Sequence, residues 1–546
     1  MENSNSEYTV RGRIVDVFRR RVYGGYVRVR DGKIVATGED ATAPRDRYIL
    51  PGWVDAHVHI ESSMLTPSRF GAIAVRHGVV GVVTDPHEIA NVCGVPGIEY
   101  MLSDAKASAT KCFFTVPSCV PSCAYDENGG TVTSEDVERL MSSGRFYGLS
   151  EVMNAVGVVS DDEEVMRKIA SAKKYRLAVD GHSPGLTGDV LRKYAEAGIQ
   201  TDHECTTLCE AEERIGLGMK ILIREGSAAC NYEALSGLIG KYPGEVMLCT
   251  DDISVDKIET EGYMDRLVSR AVKDGYDLYD VIRAATVNAV EHYHLPVGLL
   301  REGDRADFQV VEDLKTFRPS AVYVDGIRRD MTPLAPEETA PLRELPENFM
   351  HDRIDERELE KAVDGAITIM EVTDRQIVTK ARRYAPGSAM RNLESDAEQD
   401  VVKLVYVNRY RNGKPQVAWI RGTGIREGAF ATSVNHDTHN LIAFGSSDRD
   451  IASALNAVIE KKGGRAFAAR GEVTVLGLPV GGLMSTSGAE ELNEQCQEIR
   501  RHFSRYPLTL TAPFMTLSFL GLLVTPEIKI GEKGLFSFSK WDWVEQ

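Results

Sequence analysis

Between residues 53 and 249 the chain repeats one local pattern eight times: a short apolar run, then polar residues, then a segment with helical spacing. The runs are Trp53–Val58, Val79–Thr84, Cys112–Val116, Phe146–Leu149, Arg176–Val179, Ile199–His203, Met219–Ile223 and Val246–Cys249. Runs this short and apolar suit strands buried on both faces, as in a parallel sheet covered by helices. The segments between them, such as SEDVERLMSSG and GDVLRKYAEAG, close on glycine, where a left-handed helix cap costs least. Eight such units predict a (β/α)₈ barrel of the α/β class, whose chemistry sits at the carboxyl ends of its strands.

Five polar clusters fall at those ends, after strands one, four, five, six and eight. They are His57 and His59 in GWVDAHVHIES, Glu151 in GLSEVMN, His182 in VDGHSPG, His203 in TDHECTT and Asp251 in MLCTDD. Two residues separated by one project from the same side of a strand, so His57 and His59 can reach one ion together. His182 and His203 offer neutral imidazoles, and Glu151 has two oxygens able to bridge ions. Asp251 can bind a metal while accepting a proton from water. Any one of these alone reads equally as a hydrogen-bonded core residue; their concentration at strand ends, where unpartnered polar groups are costly, favours a ligand set for two divalent ions. Nitrogen and oxygen donors without thiolate suit Zn²⁺, Mn²⁺ or Fe²⁺.

The flanking sequence predicts further domains. Residues 1–50 and 295–331 read as short strands and turns that form one composite β-sandwich around the 51–294 barrel. The charged stretch 332–359 reads as a linker, and 360–546 as an additional C-terminal α+β domain. A formal charge of −17 and a pI near 5.3 disfavour nucleic acid as a partner. The N-terminal MENSNSEYTV lacks a signal pattern, and the longest apolar stretch, Leu508 to Val524, is broken by Pro513, so no membrane association is expected. Nine scattered cysteines without CxxC pairs point to a reducing cytoplasm.

Longer strings carry a resemblance. LPGWVDAHVHIESSMLTPSRF, TDPHEIANVCGVPGIEYML, PSCVPSC, DGHSPGLTG, IREGSAA and CTDD, with GAFATSVNHDTHNLIAFG, LPVGGLM and APFMTLSFLGLLVTPEIKI near the C-terminus, resemble the metal-dependent adenine deaminase family of the amidohydrolase superfamily. The resemblance implies a binuclear centre ligated by His57, His59, Glu151, His182, His203 and Asp251, with Glu151 as the bridge. It implies Mn²⁺ or Fe²⁺ as the metal, with Zn²⁺ as a further candidate. Adenine and water would give hypoxanthine and ammonia in purine salvage, by a cytoplasmic homo-oligomer, most simply a dimer.

Such a reaction needs acid/base groups besides the metals. Glu88, His87, Asp251 and Asp252 are the catalytic candidates, with Glu88, Ser118 and Asn91 lining the substrate and Ser62 and Ser63 as weaker lining candidates. Asp85 and Glu88 also read as capping or first-turn carboxylates of a helix. His436 and His439 in HDTHN leave open a second metal site, structural packing or a contact with the rim of the barrel site. Two departures from the family pattern, Tyr263 in place of a histidine and Asn288-Ala289-Val290 in place of Asn-Pro-Ala, keep a deaminase of another purine or a pterin as the alternative. The alternative of a different class is a catalytically idle relative serving as a binding or assembly protein.

Overall fold

The computed structural model describes residues 7–227, 229–329, 344–374 and 376–544; the first part of the expected linker, 332–343, lies outside the described residues. Eight parallel strands form the barrel: Trp53–Val58, Val79–Thr84, Lys111–Phe114, Gly148–Val152, Ala178–Gly181, Thr201–Asp202, Lys220–Arg224 and Val246–Cys249. The first three pair in order, Val116 bridges to Leu149, and the fourth pairs with the fifth. Gln200 N donates to Val179 O at 2.9 Å, and strands six to eight pair in order. Asp251 N donates to His57 O at 2.9 Å and closes the ring beside a Val58–Asp251 bridge.

The strands depart from the expected spans only at their edges. Arg176, expected in strand five, instead caps the helix Glu163–Tyr175 with φ of 56°, so that strand starts at Ala178. The helix begins on Asp162, whose carboxylate accepts from Val165 N, and its acidic first turn and lysine-bearing last turn complement the backbone dipole. Every residue of strands one, two, four, five and eight is buried, which is why their sequences show apolar runs rather than alternation.

One seven-stranded sheet joins both flanks of the barrel, in the order Ile327–Arg328, Pro319–Val324, Phe308–Val311, Tyr48–Pro51, Tyr8–Asp16, Arg21–Arg30 and Lys33–Glu39. Its core includes Val27, Val29, Ile49 and Phe308. Gly52 passes the chain from this sheet into the first barrel strand; a Cβ there would lie 2.1 Å from Val80 Cγ1, so only glycine fits.

A nine-stranded sheet dominates the C-terminal region. Its continuous path runs Lys380–Tyr384, Ile367–Glu371, Gln416–Arg421, Val401–Val407, Leu441–Gly445, Ala429–Thr432, Gly464–Ala469 and Glu472–Gly477, with Ser395–Asp396 beside Val401–Val407. Alternate residues serve different layers, as the two-residue period of a strand requires. Val401, Val405 and Val407 pack with Ile451, Ala454 and Leu455 of the helix Asp448–Glu460. Val402, Leu404 and Tyr406 belong instead to the core that continues into the barrel. The sheet is therefore covered on both faces, and the segment between Thr432 and Leu441 reaches the barrel mouth. Among the described residues no helix is long and apolar enough to cross a membrane.

Lys403 is fully buried between the sheet and that helix, its Nζ 2.5 Å from Asp448 Oδ1, 2.8 Å from Leu359 O and 2.9 Å from Asn392 Oδ1. Asp448→Ala would strand the ammonium without its counter-charge and is expected to cost about 3–5 kcal/mol. A urea titration of the full chain checks this; adding Lys403→Met to the same chain should recover most of the loss.

Candidate metal centre

The first barrel strand aims His57 and His59 into the mouth of the barrel. Their rings meet edge to face with centroids 4.8 Å apart. Asp55, two residues earlier, anchors the strand from behind: its carboxylate accepts from His57 N at 3.2 Å, Thr250 N at 3.2 Å and Tyr263 OH at 2.6 Å, as well as from the Thr250 hydroxyl. Tyr263 is thus a buried hydrogen-bond donor behind the site, and it does not line the cavity. Asn288 is likewise structural, donating from Nδ2 to Pro243 O at 2.8 Å and Val246 O at 2.6 Å.

All six proposed ligands are buried and converge. Glu151 Oε1 lies 3.3 Å from His59 Nε2, whereas Glu151 Oε2 lies 2.7 Å from His182 Nδ1 and 3.2 Å from His203 Nε2. One carboxylate therefore faces two sets of imidazoles with its two oxygens. Asp251 Oδ1 stands 3.5 Å from His57 Nε2 and 3.2 Å from His59 Nε2. Its backbone takes φ of 57°, a left-handed conformation that aspartate tolerates better than most residues. Donor atoms of His57, Glu151 and His203 lie within 4.8 Å of one another, as do those of His57, His59 and Asp251.

The donor set fits divalent cations on two observations. His57 Nε2, the nitrogen that faces Asp251, is buried without a hydrogen-bond partner, which is costly for a neutral imidazole but natural for a ligand. His59 Nδ1 donates to Asp85 O at 3.2 Å, leaving the Nε2 lone pair directed at the carboxylates, as a ligating histidine requires.

A supporting layer fixes these residues. Arg224, at the end of strand seven, grips Glu204 with Nη1–Oε1 at 2.6 Å and Nη2–Oε2 at 2.8 Å, and also donates to Asp251 Oδ2. Glu204 Oε1 in turn lies 3.4 Å from both His182 Nδ1 and His203 Nε2. Behind the loops after strands five and six, the fully buried Arg214 and Asp202 pair at 3.1 Å. Sequence reasoning missed Glu204 and Arg224. The signals were present: a second acid directly after His203, and an arginine directly after the apolar run Ile221–Ile223.

A second group of titratable residues faces the ligands. His87 and Glu88 open the helix His87–Cys93 after strand two and line the same cavity as the ligands, with Asp251 and Asp252. His436 Nδ1 and His439 Nε2 each bond a different oxygen of Glu88, and the His436 ring stacks on Phe519 at 4.5 Å between centroids. HDTHN thus makes the contact with the barrel site that was one of its three readings, and its Asp437 has a carboxylate oxygen within 4.8 Å of donor atoms of His87 and Glu88. Burial alone would raise the Glu88 carboxyl, but the charges of His436, His439 and His87 hold it well below the usual range. For His436 burial, which lowers it, is outweighed by the charges of Glu88 and Asp252, and the imidazole is raised to about 9. Burial, followed by the charge of Asp251, raises the carboxyl of Asp252, which accepts from the Ser62 hydroxyl.

Ser118 and Asn91 do not line the cavity. The Ser118 hydroxyl donates to Glu151 O, and Asn91 donates to His87 O at 3.0 Å, so both hold the backbone of a site residue from outside. Ser63 donates to Ile60 O at 2.6 Å within its own turn.

Residues 48–328 match the profile described as the amidohydrolase family, and residues 376–542 match the adenine deaminase C-terminal domain. The adenine deaminase of Methanosarcina barkeri is 44% identical over 548 residues, covering 98% of this chain and 99% of that protein. The adenine deaminase of Sulfurovum sp. is 45% identical over 97% of this chain and 98% of its own length. Among solved structures, N-acetyl-D-glucosamine-6-phosphate deacetylase from Mycobacterium smegmatis superposes with a TM-score of 0.46 at 16% identity, over 59% of this chain and 99% of that one.

The geometry separates ligands from supports by experiment. Glu151→Gln is expected to lose most of the bound divalent metal by elemental analysis. Tyr263→Phe is expected to keep its metal while losing about 1 kcal/mol of stability, the ordinary worth of one hydrogen bond.

Proposed function

The chain belongs to the adenine deaminase family of the amidohydrolases, and we propose that it hydrolyses adenine to hypoxanthine and ammonia. The observation that carries this reading is the position of Glu151, whose two oxygens face different histidines within a buried site that also holds Glu88. His57, His59, Glu151, His182, His203 and Asp251 would hold two divalent ions, Mn²⁺ or Fe²⁺ before Zn²⁺. When bound, such a pair brings the pKa of a water towards neutrality and so supplies the nucleophile for C6 of the purine.

The chain's own groups manage the protons. Asp251, kept ionised by Arg224, accepts a proton from the attacking water and passes it to the departing amine. Glu88, held ionised between His436 and His439, takes up the second hydrogen of the attacking water and hands it to the ring nitrogen next to C6, and His87 borders it, with Nε2 3.5 Å from Glu88 Oε1. One water hydrogen ends on that ring nitrogen, the other leaves in ammonia, and the water oxygen becomes the carbonyl of hypoxanthine. Asp252 is the reserve acid/base group on the same wall.

The base would approach through the neighbouring apolar pocket of about 310 Å³, which shares Met153 and His182 with the site and is walled by Phe538 and Trp541. The position of Tyr263 behind Asp55 removes the reason to prefer another heterocycle, since its side chain does not meet the substrate space. A reducing cytoplasm, in keeping with nine free cysteines, and a homodimer complete the proposal.

Protein reconstituted with Mn²⁺ or Fe²⁺ should release ammonia from adenine rapidly and in a chelator-sensitive way, and do so poorly from guanine, adenosine, cytosine or a pterin. Full metal loading without turnover of adenine would overturn the assignment. Glu88→Gln should lower kcat by at least ~10² with metal content unchanged, because it removes a positioned acid/base group. Near-normal kcat in that variant would reject the relay.

A further inference from the structure

On the far side of the strand-eight loop from the proposed metal ligands lies a second cavity, of about 90 Å³, between the barrel and the C-terminal sheet, with an apolar wall around Phe503 and Phe514 and a few polar groups opposite. Arg465 reaches it from the buried strand Gly464–Ala469. Its side chain is only 9% exposed, and its Nε is buried without a hydrogen-bond partner. The Phe514 ring lies beside it, its centroid 5.8 Å from the guanidinium carbon.

Among the described residues no carboxylate lies in ion-pair contact with Arg465, although the charge of Asp256 is felt there. The one acid in the cavity wall, Asp256, is paired at 2.8 Å with Arg500, the other arginine of the wall. The Cys496 thiol is pushed up to about 12, by burial and then by the charge of Asp256, and stays neutral. Two guanidinium groups therefore share one carboxylate, with Arg465 buried and Arg500 more than half exposed at the edge of the cavity. A buried, unpaired charge is costly, and a guanidinium is the group best shaped to meet an oxyanion in a fork of parallel hydrogen bonds.

Hydroxyl donors complete the wall. Ser227 and Ser254 lie together there with their oxygens 3.0 Å apart. Two arginines and two serines offer more donors than the two oxygens of a carboxylate can use, which favours a tetrahedral anion. We propose that this cavity is a binding site for a phosphate-type oxyanion, held chiefly by Arg465 and assisted by Arg500, Ser227 and Ser254.

The site touches the catalytic loop. Ser227 N donates to Asp252 O at 2.6 Å, and Ser254 N donates to Ser227 Oγ at 3.0 Å. An occupant would tie the loops after strands seven and eight to the C-terminal sheet, behind Asp251 and Asp252.

Calorimetric titration of the Mn²⁺-loaded full chain with inorganic phosphate, run beside a nucleoside monophosphate, tests the site and distinguishes a free anion from the phosphate end of a larger molecule. Saturable binding of at least one of the two is expected, weakened at least about tenfold by Arg465→Gln because the charged fork is lost, and unchanged by Arg470→Gln at the surface. Phosphate held by the metals would instead compete with adenine and persist in Arg465→Gln. Absence of saturable binding, or equal binding by Arg465→Gln, overturns the proposal. Should that variant fail to fold, crystals of the unaltered protein soaked in selenate serve the same end: an anomalous peak beside Arg465 that phosphate displaces is expected, and its absence overturns the proposal.

Discussion

The rest of the molecule is arranged around the burial of charge at one end of the barrel. Glu88, Glu151, Glu204, Asp251 and Asp252 all lie within one cavity lining, each less than a tenth exposed. Carboxylates packed so closely repel one another and lose their hydration, and neither penalty is relieved by apolar packing. Relief comes from three directions: Arg224 across Glu204 and Asp251, the histidines of the barrel around Glu151, and the C-terminal histidines around Glu88. Against burial, the carboxylates of Glu151 and Asp251 raise the imidazoles of His59, His182 and His203 around them, which is the same attraction that a cation between them would satisfy.

This balance explains why the acids divide into two kinds. Asp251 and Glu88 have cationic partners in direct contact and stay well below the usual carboxylate range, whereas Asp252 has a serine partner and a like-charged neighbour and rises. Environments that push similar groups apart are how a single site comes to hold both a base and an acid.

The barrel, and the cluster of imidazoles and carboxylates at its mouth, were legible in the sequence because both leave local marks. A strand buried on two faces needs a compact apolar run, and a ligand at its end stands out as a lone histidine or acid beside that run. The remainder was hidden for reasons of distance and ambiguity. His436 and Glu88 are 348 residues apart, and nothing in HDTHN names its partner. Tyr263 looked like a change in substrate contact because its position along the chain was known but its direction was not; its hydroxyl turns to Asp55. Ser118 and Asn91 were adjacent to site residues in sequence, yet hydroxyl and amide groups satisfy backbone as readily as substrate, and here they do so. Glu204 and Arg224 were readable in principle, as polar residues at strand ends, but which charge each one meets depends on the pairing of strands six to eight.

The grip of His436 and His439 on Glu88 has a consequence for the order in which this protein comes into being. The barrel strands leave the ribosome first, together with every proposed metal ligand, whereas the two histidines follow nearly two hundred residues after the last strand. Until they arrive, Glu88 keeps His87 beside it but lacks the two imidazoles that grip its oxygens and the C-terminal residues that close the cavity over it. A nascent or truncated chain would therefore gather metal before it could deliver protons on cue. The sheet that carries the histidines is in that sense the last part in an assembly sequence, and it couples competence for chemistry to completion of synthesis.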